Sequence, residues 1–343
     1  MDRARTRAQA PRSHRLVRWA DAVHPIVPWV LGAVALVPLP MVLRNTYHQY
    51  VVNLIVINVI LAVGLNIVKG FAGQVTVGHI ALAAIGAYTS AVVSTKLGLP
   101  FWVALPTAML VTGVAGAIVG IPSFRLEGAY LALATLGLAE SVRIVISGTE
   151  ALGGAIGYQN IPSPVLGGLT FDDYRSYYYV VLPPALLGLY ASFSILRSDV
   201  GRAFKAIRED PLAAAASGVS VRKHKVIAFV LSALYAGCAG SLKAHMAPGF
   251  LNPNDYTITE MVTLLLMVVS GGIGHIWGGV IGAVLVTIIN DLTQDYYQYR
   301  MAIFGGVIVL MVMFVPRGIG GMIHHYLVRR RFKAIRDAST HAP

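Results

Sequence analysis

Long apolar stretches alternate along this chain with short breaks rich in Arg, Lys, Gly or Pro. Their lengths match the roughly 17–25 residues that a helix needs to cross a hydrocarbon core. Ten can be read, near 25–43, 50–69, 71–97, 100–124, 128–148, 175–196, 224–245, 258–274, 276–291 and 301–316. The pattern predicts an all-α membrane protein, a polytopic bundle of about ten transmembrane helices. Its least regular point is "SGGIGHIWGG" (Ser270–Gly279), between the eighth and ninth stretches, which reads either as a turn or as a broken helix.

Charge gives the orientation. Arginines gather in residues 1–18 and again from Arg329 to Arg336, so two basic tails on one side of the membrane require an even number of crossings. With residues 1–24 inside, Lys69, Arg125 and the segment 197–225 also fall inside, as the positive-inside rule expects. That segment carries Arg197, Arg202, Lys205, Arg208, Arg222, Lys223 and Lys225, whereas the loops 149–174 and 292–300 hold one basic residue or none. The domain reading is a cytoplasmic tail 1–24, a transmembrane domain 25–316 and a cytoplasmic tail 317–343. Within the domain lie a cytoplasmic loop at 197–223 and a Gly/Pro-rich outer loop at 149–174. The N-terminus is too polar and basic for a cleaved signal peptide, so the first apolar run is expected to remain as an anchor.

Composition supports this reading. Of 343 residues, 56% are hydrophobic and 12% charged, against about a quarter charged in soluble domains. The net charge of +12 sits in tails and loops, which argues against a nucleic-acid partner and for contact of the tails with membrane lipid headgroups. A single cysteine, Cys238, excludes an internal disulfide and speaks against a cysteine-based metal site. No Gly-Lys dipeptide occurs, so there is no Walker-type phosphate loop, and no HExxH or paired metal-ligand spacing is present. The chain is expected to have no catalysis and no cofactor of its own. If ATP drives it, partner subunits supply the ATPase.

Polar residues inside apolar runs are the candidates for a solute path. "GFAGQVTVGHI" (Gly70–Ile80) places Gly73, Gln74, Gly78 and His79 where irregular backbone must be buried in protein or line a water-filled cavity. It reads equally as part of a path or as a helix cap at the inner interface. Glu140 and Arg143 share one helix face at i, i+3. Ionisable groups in a membrane are functional candidates by default, so this pair reads either as a bundle salt bridge or as a contact for a zwitterionic solute. Glu260 and Asp291 stand near span ends and read as interfacial. Most glycines inside the spans read as close-packing positions. "GHIALAAIGA" (Gly78–Ala87) and "GHIWGGVIGA" (Gly274–Ala283) look alike, the mark of an internal repeat or a coincidence of Gly/Ala/Ile-rich sequence.

The polar segment "GRAFKAIREDPLAAAASG" (Gly201–Gly218) predicts two short helices. Asp210 suits an N-cap and Pro211 the first helical position. Leu212–Ser217 is alanine-rich, and Gly218 suits a left-handed end. Upstream, Arg202, Lys205 and Arg208 recur every three residues, with Phe204 and Ile207 on a neighbouring face. Helices this short are marginal in water. Headgroups, a groove on a cytoplasmic protein that receives Ala214–Ala216, or plain solvation all fit these residues.

The same segment resembles the cytoplasmic coupling loop of the permease subunits of branched-chain amino acid ABC importers, the LivM type. That loop reads G-x-x-x-x-A-I-R-x-x-x-x-A-A-x-x-x-G. The likeness continues through "KVIAFVLSALYAGCAGSL" (Lys225–Leu242), "GGIGHIWGGVIGA" (Gly271–Ala283), "GLNIVKGFAGQVTVGHIALAAIGAY" (Gly64–Tyr88) and the closing turn Pro316-Arg317-Gly318, over roughly residues 50–320. The resemblance implies a multi-pass subunit of the bacterial inner membrane. It implies as partners a homologous permease, two cytoplasmic ATPase subunits that use ATP, and an extracytoplasmic solute-binding protein. It also implies coupling roles for Gly201, Arg202, Arg208, Glu209, Asp210, Ala214 and Gly218. Pro211, His275 and Gly279 depart from the family's usual residues. Relatives carry branched-chain amino acids, other amino acids, urea or short amides, so the small-molecule solute stays open. A self-sufficient secondary transporter or channel is the alternative from another class.

Overall fold

The computed structural model describes residues 36–293 and, beyond them, 302, 305, 306, 309, 313 and 318. Both tails, the larger part of the first predicted span and most of the predicted span 301–316 lie outside the described residues. So does nearly all of the loop 292–300.

The chain divides into two units, Met1–Arg44 and Asn45–Pro343. The described part of the first holds one helical turn, α1 (Leu39–Val42), entered through Pro38.

The second unit is almost entirely helical. In chain order it contains α2 (Thr46–Asn66), α3 (His79–Thr95), α4 (Phe101–Gly120), α5 (Ala129–Gly148), α6 (Tyr174–Arg197), α7 (Asp199–Glu209), α8 (Pro211–Ala216), α9 (Val221–His245), α10 (Ile258–Gly271) and α11 (Ile276–Leu292). A π-helical turn, Ile67–Phe71, prolongs α2. Five of the described helices (α2 with its π turn, α4, α5, α6 and α9) are long and apolar enough to cross a membrane. The other three apolar helices are shorter, at 17, 14 and 17 residues for α3, α10 and α11. At 1.5 Å per residue they reach only about 21–26 Å, short of a core about 30 Å thick. The chain is a multi-pass membrane protein.

The expected span at 71–97 is corrected in one respect. Residues 72–78 are not helical, and α3 begins only at His79. Gly73 takes φ +70°, and the β-branched Val75, Thr76 and Val77 follow it, so this stretch has little helical preference. The ambiguous "SGGIGHIWGG" is also resolved. Gly272 and Gly274, both at positive φ, form a turn between two antiparallel helices, α10 and α11.

Small residues set the packing, as they do between membrane helices. A side chain at Gly86 of α3 would collide with the Gly237 backbone of α9, and one at Gly237 would collide with Thr112 and Ala108 of α4. The fully buried α9 face, from Ala228 to Ala244, is the centre of the core. Polar side chains fasten the rest: Asn58 Nδ2 donates to Thr287 Oγ1 at 2.9 Å, and Tyr177 donates to the Leu242 carbonyl at 2.5 Å.

Helix directions and contacts define two ends of this unit. One end gathers Lys69, Arg125, Arg197, Arg202, Lys205, Arg208, Arg222, Lys223 and Lys225. The described cations near the other end are Lys96, Arg175 and Lys243. At that other end the loop 149–173 is ordered. It forms a two-residue hairpin, Val165–Leu166 with Leu169–Thr170, and is held by Lys96 on the Ala151 carbonyl and Trp102 on the Val165 carbonyl.

Candidate functional site

The basic end carries the helix pair α7–α8. α7 is strongly amphipathic: Gly201, Ala203, Phe204 and Ile207 are buried, while Arg202 and Lys205 are exposed. Burying Phe204 and Ile207 is worth about 1.5–3 kcal/mol each, which anchors a helix too short to persist alone. Asp210 ends α7 and caps α8, accepting from the Leu212 and Ala213 amides at 2.8 and 3.1 Å. Pro211 opens α8. Gly218 closes it at φ +84°, with its amide on the Ala215 carbonyl and the Val219 amide on Ala214. The local reading of this segment therefore matches its structure.

The coupling candidates divide by position. Gly201 lies so close to the Leu196 backbone that a side chain there would not fit. Ala214 is buried at 4% exposure, which removes it from the expected outward Ala214–Ala216 surface, while Ala215 and Ala216 are exposed. The largest outward residue of α8 is Leu212, 83% exposed. No pattern in six residues of nearly uniform alanine would have told its inner face from its outer one. Arg202 pairs with Asp199 on the surface, and Glu209 is exposed.

Arg208 behaves differently from the other basic residues of α7. Although the residue is exposed, its guanidinium donates to the Gly70 carbonyl at 2.5 Å, in the π turn. Its backbone and Cβ lie against Gly73, and its Nη1 lies against Gly274. Beside it, Asn66 fastens the α10–α11 turn twice, donating to the His275 carbonyl at 2.8 Å and accepting from the Gly274 amide at 2.9 Å. Gly318, at φ +69°, closes over Gly272; Pro316 and Arg317 of the same predicted turn lie outside the described residues. One arginine of the docked helix pair thus touches both places where the membrane helices are interrupted. Asn66 was missed from the sequence, where it is a lone polar residue in an apolar run.

The path candidates form a wall rather than one pocket. Gln74 is buried and donates to the Ala72 carbonyl at 3.2 Å. Gly78 packs on Thr135 of α5, whose hydroxyl accepts from the Val77 amide. His79 is buried at 1% exposure, with Nδ1 3.0 Å from the Ser232 hydroxyl of α9. Ser232 lies eleven residues into α9, so α3 starts about 16 Å along that helix. Glu140 and Arg143 pair with each other on α5. None of these six lines the cavity of about 250 Å³ enclosed by α2, α3, α9 and α10.

Comparison with known proteins agrees with this architecture. Residues 47–316 match the family described as branched-chain amino acid transport system / permease component. The high-affinity branched-chain amino acid transport system permease protein LivM of Escherichia coli (strain K12) is 37% identical over 303 residues, covering 81% of this chain and 71% of the relative. The probable branched-chain amino acid transport permease protein LivH of Methanocaldococcus jannaschii is 28% identical over 295 residues, covering 77% and 88%. The xylose transport system permease protein XylH of Haemophilus influenzae is 29% identical over 160 residues, covering 43% and 42%. No solved structure matches. The chain belongs to the branched-chain amino acid transport permease family.

Proposed function

We propose that this chain is the permease subunit of an ATP-binding cassette importer for branched-chain amino acids, set in a bacterial inner membrane with ten crossings and both termini cytoplasmic. The basic end is the cytoplasmic end. The docked helix pair α7–α8 is the handle gripped by an ATPase partner. A homologous permease completes the path, and an extracytoplasmic binding protein delivers the solute to the Thr149–Asp173 side. The exposed apolar stripe Leu110, Val114 and Ile118 on α4 suits lipid or that second permease.

The observation that carries this reading is α8 itself, capped at both ends, docked through α7 and presenting Leu212 outward. An exposed leucine on a rigid knob is a poor solvent-facing residue and a good anchor for a hydrophobic groove. Arg208 gives the knob a mechanical route inward, because a shift of α7 displaces the carbonyl and the turns it holds.

The test is Leu212→Asp in the full importer. Because the residue is exposed, stability should change by no more than about 0.5 kcal/mol, while the ATPase no longer co-purifies. Undiminished co-purification would falsify the handle assignment.

A further inference from the structure

The cavity among α2, α3, α9 and α10 has a chemistry that the candidates above do not use. Toward the α9–α10 connection its lining is polar: Lys243 from the last turn of α9, Asp255 and Tyr256 from the 3₁₀ turn Pro253–Tyr256, and Glu260 from the first turn of α10. Deeper in, Leu61, Ile80, Leu264 and Met267 make a mainly apolar wall, interrupted by Asn58 and Thr263, while Asn290 of α11 also lines the cavity. At about 250 Å³ it lies just below the range of drug-sized sites, roughly 300–1,000 Å³. It therefore suits a single small solute with a charged head and a short apolar tail.

Lys243 and Asp255 lie close together without a tight hydrogen bond. Lys243 Nζ is 3.6 Å from Asp255 Oδ2, an ion pair by distance but beyond a normal N–H···O hydrogen bond of about 2.7–3.2 Å. The same ammonium lies 5.2 Å from the centre of the Tyr256 ring. Tyr256 is buried at 3% exposure and lines the cavity, yet its hydroxyl has no hydrogen-bond partner among the described residues. A buried hydroxyl without a partner costs about 1–3 kcal/mol, a cost that a ligand reaching it would relieve. Ionisable groups that line a cavity between membrane helices are candidates for a solute site.

We propose that this cavity binds a free α-amino acid zwitterion within the permease subunit itself, with Lys243 and the Tyr256 hydroxyl taking the carboxylate, Asp255 and Glu260 taking the ammonium, and the inner apolar wall taking the side chain. This rests on the amino-acid transport reading above. One cation and two anions at the rim match the two charges of the solute in opposite sense. The site lies along the α9–α10 side of α3, away from His79 and from the Glu140–Arg143 pair, so a zwitterion contact is assigned here rather than to that pair.

The test uses the complete importer in lipid nanodiscs without the binding protein. Three probes are titrated by calorimetry: leucine, leucinamide, which lacks the carboxylate, and 4-methylpentanoate, which lacks the ammonium. Lys243→Met should weaken leucine and 4-methylpentanoate by about tenfold or more while sparing leucinamide. Glu260→Gln should weaken leucine and leucinamide while sparing 4-methylpentanoate. Met267→Trp, which fills the apolar end, should weaken all three and keeps the proposal testable if a charge variant fails to assemble. An equal loss of all three probes in both charge variants shows that the ion pair is structural and overturns the site. So does full leucine binding in Lys243→Met/Asp255→Asn. If wild-type vesicles take up leucine yet no variant shows this pattern, the site fails and the transport reading stands. If wild-type importer neither takes up nor binds leucine, the transport reading fails and the site with it.

Discussion

Two stretches of this chain begin with Gly-His-Ile and meet Gly-Ala eight residues on, yet they build different things. Gly78-His79-Ile80 opens α3 and Gly274-His275-Ile276 opens α11, each 17 residues long; Gly274 takes positive φ, whereas Gly78 takes φ −91°. In the first, the histidine lies inside the helix, buried against Ser232 about halfway along α9. In the second, it stands before the helix at the basic end, and its carbonyl is held by Asn66. The likeness is local and the difference comes from the neighbours. A break roofed by Thr135 and α9 becomes wall. A break held by one asparagine and one arginine becomes a joint.

The largest effect should come from closing the joint's tightest contact. A side chain at Gly282 would collide with the Met267 carbonyl oxygen. Gly282→Val should therefore cost about 3 kcal/mol or more and yield no monodisperse protein on size exclusion. A well-folded variant would show that α10 and α11 can separate freely.

Next is Asn66→Leu, which strips the Gly274 amide and the His275 carbonyl of their partner and should cost about 2–3 kcal/mol. Hydrogen exchange should rise at 271–276 and stay unchanged at 76–80. Equal rises at both would merge the two breaks into one unit and end the comparison. Ser232→Ala is the mirror experiment. It should cost about 1–2 kcal/mol and loosen only the start of α3.

Among the variants of the two breaks, the smallest effect on stability belongs to Arg208→Ala, about 1 kcal/mol for one hydrogen bond to a carbonyl. It is also the one variant here that should raise exchange at both 70–74 and 272–275, because its side chain meets both breaks. A rise on one side only would remove Arg208 as a link between them.

Much of this architecture was legible because it rests on local rules. Apolar length located the helices, charge asymmetry separated the two ends, and Asp210, Pro211 and Gly218 announced the borders of α8. What was not legible depends on partners far away in sequence. The three-residue recurrence put Arg202, Lys205 and Arg208 on one basic face, but only the docking of Phe204 and Ile207 turns Arg208 toward Gly70. Asn66 and Ser232 read as isolated polar residues until α11 and α3 supply their partners. Glu260 reads as interfacial until Lys243 and Asp255, brought from α9 and the 3₁₀ turn, share a cavity with it. The continuous helix expected from residue 71 failed because hydropathy does not register a backbone break inside an apolar run.

The short helices also bear on how the protein answers to the thickness of its bilayer. A helix that ends before the hydrocarbon boundary normally thins the lipid around it or tilts its neighbours. Here Gly78 ends under Thr135 and Gly272 under Gly318, so protein, not lipid, covers both short ends. Elsewhere apolar side chains face outward on long and short helices alike, Leu110, Val114 and Ile118 on α4 and Trp277 and Ile288 on α11. At those two covered ends an interrupted helix can shift against its protein neighbours without thinning the membrane around it.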